Sequence, residues 1–61
     1  MAGDLVVISF DEHILEAETA DAWLIEIDGR KYWMPKSQCE MDERRKEITA
    51  PEWLLEKKDL L

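Results

Sequence analysis

Apolar and polar residues alternate most cleanly in "AWLIEIDGRKYWM" (residues 22–34), where Asp28-Gly29 interrupts two runs. An Asp-Gly pair between alternating runs predicts a two-residue hairpin loop, because a type I′ turn needs φ > 0 at both central positions. The register follows from that loop. Ile27 lies opposite Arg30, Glu26 opposite Lys31, Ile25 opposite Tyr32, Leu24 opposite Trp33 and Trp23 opposite Met34. Opposite charges meet once and aliphatic–aromatic pairs meet twice, and a slip of one residue would lose all three pairs. One face carries Trp23, Ile25, Ile27, Tyr32 and Met34; the other carries Leu24 and Trp33 beside the charged pair.

"LVVISF" (5–10) is a short apolar, β-branched run that predicts a buried strand, with Val6, Ile8 and Phe10 on one face and Leu5, Val7 and Ser9 on the other. "HILEAET" (13–19) fits either a second extended piece or a helical turn. Pro35 has no N–H and ends the hairpin ladder. "KSQCEMDERRKE" (36–47) has no clean period and predicts an exposed connection, with at most a helical turn. "EIT" (47–49) is a candidate short strand. "APEWLLEKKDLL" (50–61) predicts a helix with Pro51 at its first position, early Glu52 and Glu56, and late Lys57 and Lys58. Trp53, Leu54 and one of Leu60 or Leu61 supply its apolar face. The fold class is α+β: one domain over residues 1–61, with a three- to four-stranded, mostly antiparallel sheet and one C-terminal helix. A small curled, barrel-like sheet is equally compatible.

A chain of 61 residues buries only about 60% of the surface that its unfolded form exposes. Cys39 and His13 each stand alone, so neither an internal disulfide nor a Cys/His zinc cluster is available. Small folds without such staples draw stability from partners, and a homodimer is expected. No cofactor or metal is implied. The first residues have no basic n-region, no run approaches the ~18 apolar residues of a membrane span, and the single cysteine suits a reducing cytoplasm.

Charge is unevenly placed. Residues 1–28 hold eight carboxylates and no Lys or Arg, whereas residues 29–61 hold seven carboxylates against eight bases; the net charge of −7 therefore comes from the first half. Such a surface argues against duplex DNA, which is bound by clustered cations. Asp11, Glu12, Glu16, Glu18 and Asp21 are the candidate acidic surface, either as a merely solvated face or as a match for a basic groove on another protein.

Catalytic groups are scarce. A Cys39–His13 nucleophile pair would need a third, orienting group, and Cys39 sits in a carboxylate-rich stretch that disfavours the thiolate. Gly3 and Gly29 are the only glycines, so there is no phosphate loop, and no enzyme is expected. "YWMPKSQ" (32–38) admits two readings. In the plain one Trp33 packs under the C-terminal helix, Pro35 stops the strand and Ser37 caps the next turn. In the functional one Lys36, Ser37 and Gln38, beside Trp33, hold a nucleotide or a single strand, where stacking contributes roughly 1–3 kcal/mol per base. "ERRKE" (43–47) is either a solvated loop or a contact for the acidic half of a second copy.

From residue 20 onward the chain resembles a group of short, mostly uncharacterised phage and mobile-element proteins. The resemblance rests on a strand ending in Ala22, the hairpin, "WMPKSQ" (33–38) and "PEWLLEKKDLL" from Pro51, about two-thirds of the chain. It implies a small accessory protein in a bacterial cytoplasm and no reaction. The functional expectation is a non-enzymatic interaction protein that binds and inhibits or modulates a host protein, such as a defence or nucleic-acid-handling system, through its acidic surface. The rivals are the nucleotide or single-strand module at Lys36–Gln38 and a subunit of a larger phage assembly.

Overall fold

The computed structural model describes residues 4–61. The hairpin forms as the alternation requires. β3 (Ala22–Ile27) and β4 (Arg30–Pro35) pair antiparallel with Ile25 opposite Tyr32, Glu26 opposite Lys31 and Ile27 opposite Arg30. Asp28 (φ 55°) and Gly29 (φ 79°) supply the two positive φ angles of the turn. The face that carries Trp23, Ile25, Ile27, Tyr32 and Met34 turns inward, and Ile25 and Met34 are fully buried.

The α+β class, the antiparallel pairing and the single C-terminal helix hold, and the strands divide between two three-stranded sheets. Sheet A has the order β1-β6-β5, from β1 (Leu5–Ser9), β6 (Glu47–Pro51) and β5 (Glu40–Asp42). Sheet B has the order β2-β3-β4, with β2 (Glu12–His13) the short outer strand. The chain crosses between sheets at Phe10-Asp11, where the Phe10 N–H donates to the Lys46 carbonyl and the Asp11 N–H to the Glu26 carbonyl. Residues 13–19 use both of the conformations left open, the end of β2 and then a 3-10 turn at Leu15–Ala17.

Five sequence expectations need correction. β1 is not a buried strand but an outer one, with one face toward the core and Leu5 and Val7 exposed on the other. Residues 36–47 are not simply a connection, because β5 lies within them and forms a hairpin with β6. Its turn has no glycine: Asp42 Oδ1 accepts the N–H groups of Arg44 and Arg45 at 3.1 and 3.2 Å, and Lys46 takes φ 55°. Pro51 is the last residue of β6 and the N-cap, with ψ 144°, so the helix α1 starts one residue later, at Glu52–Lys57. That rotation buries Leu54 and Leu55 and leaves Trp53 49% exposed. Trp33 does not pack under the helix; it lies on the outer face of sheet B opposite Leu24, 45% exposed.

One core joins all parts. Ile25 and Met34 come from sheet B, Ile48 and Ala50 from sheet A, Leu54 and Leu55 from α1, with Phe10 and Cys39 between them. The helix ends in a Schellman motif. The Leu60 N–H reaches the Leu55 carbonyl at 2.8 Å, the Asp59 N–H reaches that of Glu56 at 3.1 Å, and Asp59 sits at φ 61°. Among the described residues no helix is long and apolar enough to cross a membrane.

Candidate functional site: the outer face of sheet A

Cross-strand partners share a face, so the register fixes what sheet A turns outward. Leu5, Val7 and Ser9 of β1 lie opposite Pro51, Thr49 and Glu47 of β6, and Thr49 and Glu47 lie opposite Glu40 and Asp42 of β5. The inner face holds Val6, Ile8, Ile48 and Ala50, which meet the core. The outer face remains open. Leu5 is 69% and Val7 56% exposed, and beside them runs a groove of about 560 Å³ lined by Val7, Thr49, Glu40, Asp42, Glu43, Glu47, Met41 and Arg44. Four carboxylates and one guanidinium therefore border an apolar strip. A second hollow of about 280 Å³ continues the groove past Glu40 and Thr49 to Leu5, Ser37 and Gln38.

The residues nominated from the sequence do not gather at one place. Lys36 Nζ donates to Glu18 Oε2 at 2.5 Å and lies 5.6 Å from the centre of the Trp23 ring. Trp23 is on the inner face of sheet B and Trp33 on the outer, so Lys36 and Trp33 do not form one stacking platform. Ser37 and Gln38 open instead onto the hollow beside Glu40. Of the five acidic candidates, two are structural. Asp11 Oδ2 accepts the Asp28 N–H at 2.9 Å and so pins the hairpin turn. Glu18 is held by Lys36, and its carboxyl lies below its ordinary range chiefly because of that hydrogen bond. Glu12, Glu16 and Asp21 are exposed and make no side-chain hydrogen bond or ion pair among the described residues.

His13 is the centre of a polar chain that links the two sheets. Its Nδ1 lies 2.6 Å from Glu43 Oε2, on the β5–β6 turn, and its Nε2 lies 3.1 Å from Glu18 Oε1. The second contact has the distance of an ion pair but not the geometry of a hydrogen bond. Both ring nitrogens thus face carboxylates, and neither faces Cys39. That thiol lies in the core, where burial pushes its pKa up. Among the described residues no group of three or more His, Cys, Asp or Glu side chains is placed to hold a metal ion.

Sequence reasoning missed Glu40, Asp42 and Glu43 because it read them as a connecting loop, and it placed Glu47 at the start of a candidate strand without seeing the face it shares with them. The signal was present as two short period-2 runs, Glu40-x-Asp42 and Glu47-x-Thr49. Comparison of the chain with family models, curated proteins and solved structures finds no match.

Proposed function

We propose that this chain acts by binding, and that the outer face of sheet A receives a basic segment of another protein. The observation that carries the reading is the gathering of Glu40, Asp42, Glu43 and Glu47 around an exposed Leu5–Val7 strip on a sheet face that no other described residue covers. An apolar strip rimmed by charge suits a protein interface, and the charge selects a cationic partner and speeds its capture. The overall charge of −7 adds to the same field. The resemblance of residues 20–61 to short phage proteins supports a host protein as that partner, inhibited or modulated by occupation of its basic groove. Glu12 of β2, Glu16 of the 3-10 turn and Asp21 just before β3 are further exposed carboxylates. A nucleotide site at Lys36 is disfavoured, because the ammonium is already neutralised by Glu18.

The test is capture from bacterial lysate, with and without nuclease, by the chain and by a Glu40→Lys, Glu47→Lys double variant. Capture by the native chain should weaken steeply with salt as the Debye length falls from ~10 Å at 0.1 M to ~3 Å at 1 M. The double variant, which leaves the Asp42 side chain that caps the β5–β6 turn in place, should lose the partner while keeping its melting transition. Equal capture by both chains removes this face as the site.

A further inference from the structure

Among the described residues, sheet A has one unprotected edge. The Asp4 carbonyl accepts the Glu52 N–H and the Phe10 N–H donates to the Lys46 carbonyl. In an antiparallel ladder the bonded pairs alternate, so Val6 and Ile8 turn their polar groups toward β6, while Leu5, Val7 and Ser9 turn theirs away. β1 pairs with no other strand among the described residues. The remaining edges are blunted. β2 has two residues and carries Glu12, β4 carries Arg30 and Lys31 and ends in Pro35, and β5 has three residues with Glu40 and Asp42. Short length, charge and proline are the devices that keep sheet edges from pairing. β1 has five residues and none of these devices.

We propose that the free edge of β1 is the seam between two copies of this chain, paired antiparallel about a twofold axis at Val7. In that register Val7 faces Val7 of the second copy and Leu5 faces Ser9, so every outward N–H and C=O of these residues finds a partner. The exposed Leu5 and Val7 side chains of both copies then form one uncharged stripe on the outer face, and Val6 meets Ile8 on the inner face. A second copy fits better than an unrelated strand because this edge is complementary to itself. Residues 5–9 carry no charge, so two chains of charge −7 pair along an uncharged stretch, with Asp4 and Asp11 just beyond its ends and the other carboxylates of sheet A on β5 and β6. The pairing makes one continuous sheet with an acidic face on either side of the stripe.

Sedimentation of the full chain from ~1 µM to ~1 mM should show a reversible dimer. Added salt should tighten it by screening the repulsion between acidic copies, the opposite of its effect on capture of a basic partner. This separates failure of the seam from failure of the acidic-face reading. Val7→Glu places two carboxylates opposite each other and should raise the dissociation constant at least ~tenfold. N-methylation of Val7 in a synthetic chain removes the outward N–H, leaves the β6 ladder intact, and should weaken the dimer without a change of charge. With diamide as oxidant, Val7→Cys should cross-link to itself and Leu5→Cys should not, since the register sets the two Leu5 positions ~14 Å apart. A dimer unmoved by both Val7 changes, or equal cross-linking at both positions, overturns the seam. A folded chain that stays monomeric at ~1 mM also overturns it and leaves the edge to an extended segment of another protein.

Discussion

Glu18 meets two basic side chains at once, and its titration should be visible in the stability of the whole chain. Its carboxyl is lowered from the usual 4.5 first by the hydrogen bond from Lys36; desolvation opposes this, and the charges of Lys36 and His13 reinforce it. A carboxyl whose folded value lies below its unfolded one stabilises the fold fully above the unfolded value, and that contribution is lost as pH falls through the folded one. The acid limb below about 4.5 should therefore be shallower in Glu18→Gln than in the native chain. Thermal melts between about pH 7 and pH 3 measure it, with the two curves apart at neutral pH and converging in acid. Parallel curves would assign the contact no part in acid stability. The same residue shows why the candidate acidic surface was only partly legible. Sequence lists Asp11 and Glu18 with their neighbours, but only the fold brings the Asp28 N–H and the Lys36 ammonium to them.

At the scale of the element, α1 closes with an aspartate where glycine is the usual occupant. Asp59 takes φ 61° at the position after the cap, and it places a negative charge at the negative end of the helix. Asp59→Gly should relieve both and stabilise the chain by about 1 kcal/mol, read as a shift in the denaturation midpoint. No change would mean that the lost chain entropy offsets the strain. Elements differ in how openly the sequence announces them. The β3–β4 hairpin is legible because Asp28-Gly29 is a local signal that fixes six cross-strand partners. The β5–β6 hairpin is not, because its turn is built by the Asp42 side chain and a lysine with positive φ, neither of which stands out among Glu43, Arg44 and Arg45. With β5 hidden, the outer face of sheet A was hidden too. The start of α1 was misplaced for a related reason: Pro51 suits the last position of a strand as well as a first helical turn, and one residue of offset exchanges Trp53 for Leu55 in the core.

For the whole molecule, the two sheets and the helix share a single core, so they should unfold together. Ile48 of sheet A and Ile25 of sheet B are both fully buried in it. Truncating either to alanine removes packing worth about 2–5 kcal/mol, comparable to the stability of so small a domain. Ile48→Ala should therefore abolish the fluorescence transition of Trp23 and Trp33 in sheet B as completely as that of Trp53. A sheet B signal that survives Ile48→Ala would show two separable units.

The pairing of β1 with β6 has a consequence in time as well as in space. Leu5 lies opposite Pro51, so the first described strand and the last are neighbours in the finished sheet. The β3–β4 hairpin needs only residues 22–35 and closes a two-residue loop, which is fast. Sheet A must instead bring together segments from opposite ends of the chain, the slowest kind of contact to find. As the polypeptide emerges during synthesis, Leu5–Ser9 leaves early and waits, both of its edges unsatisfied, until Glu47–Pro51 arrives. The least protected strand of the molecule is also the one that stays unpaired the longest.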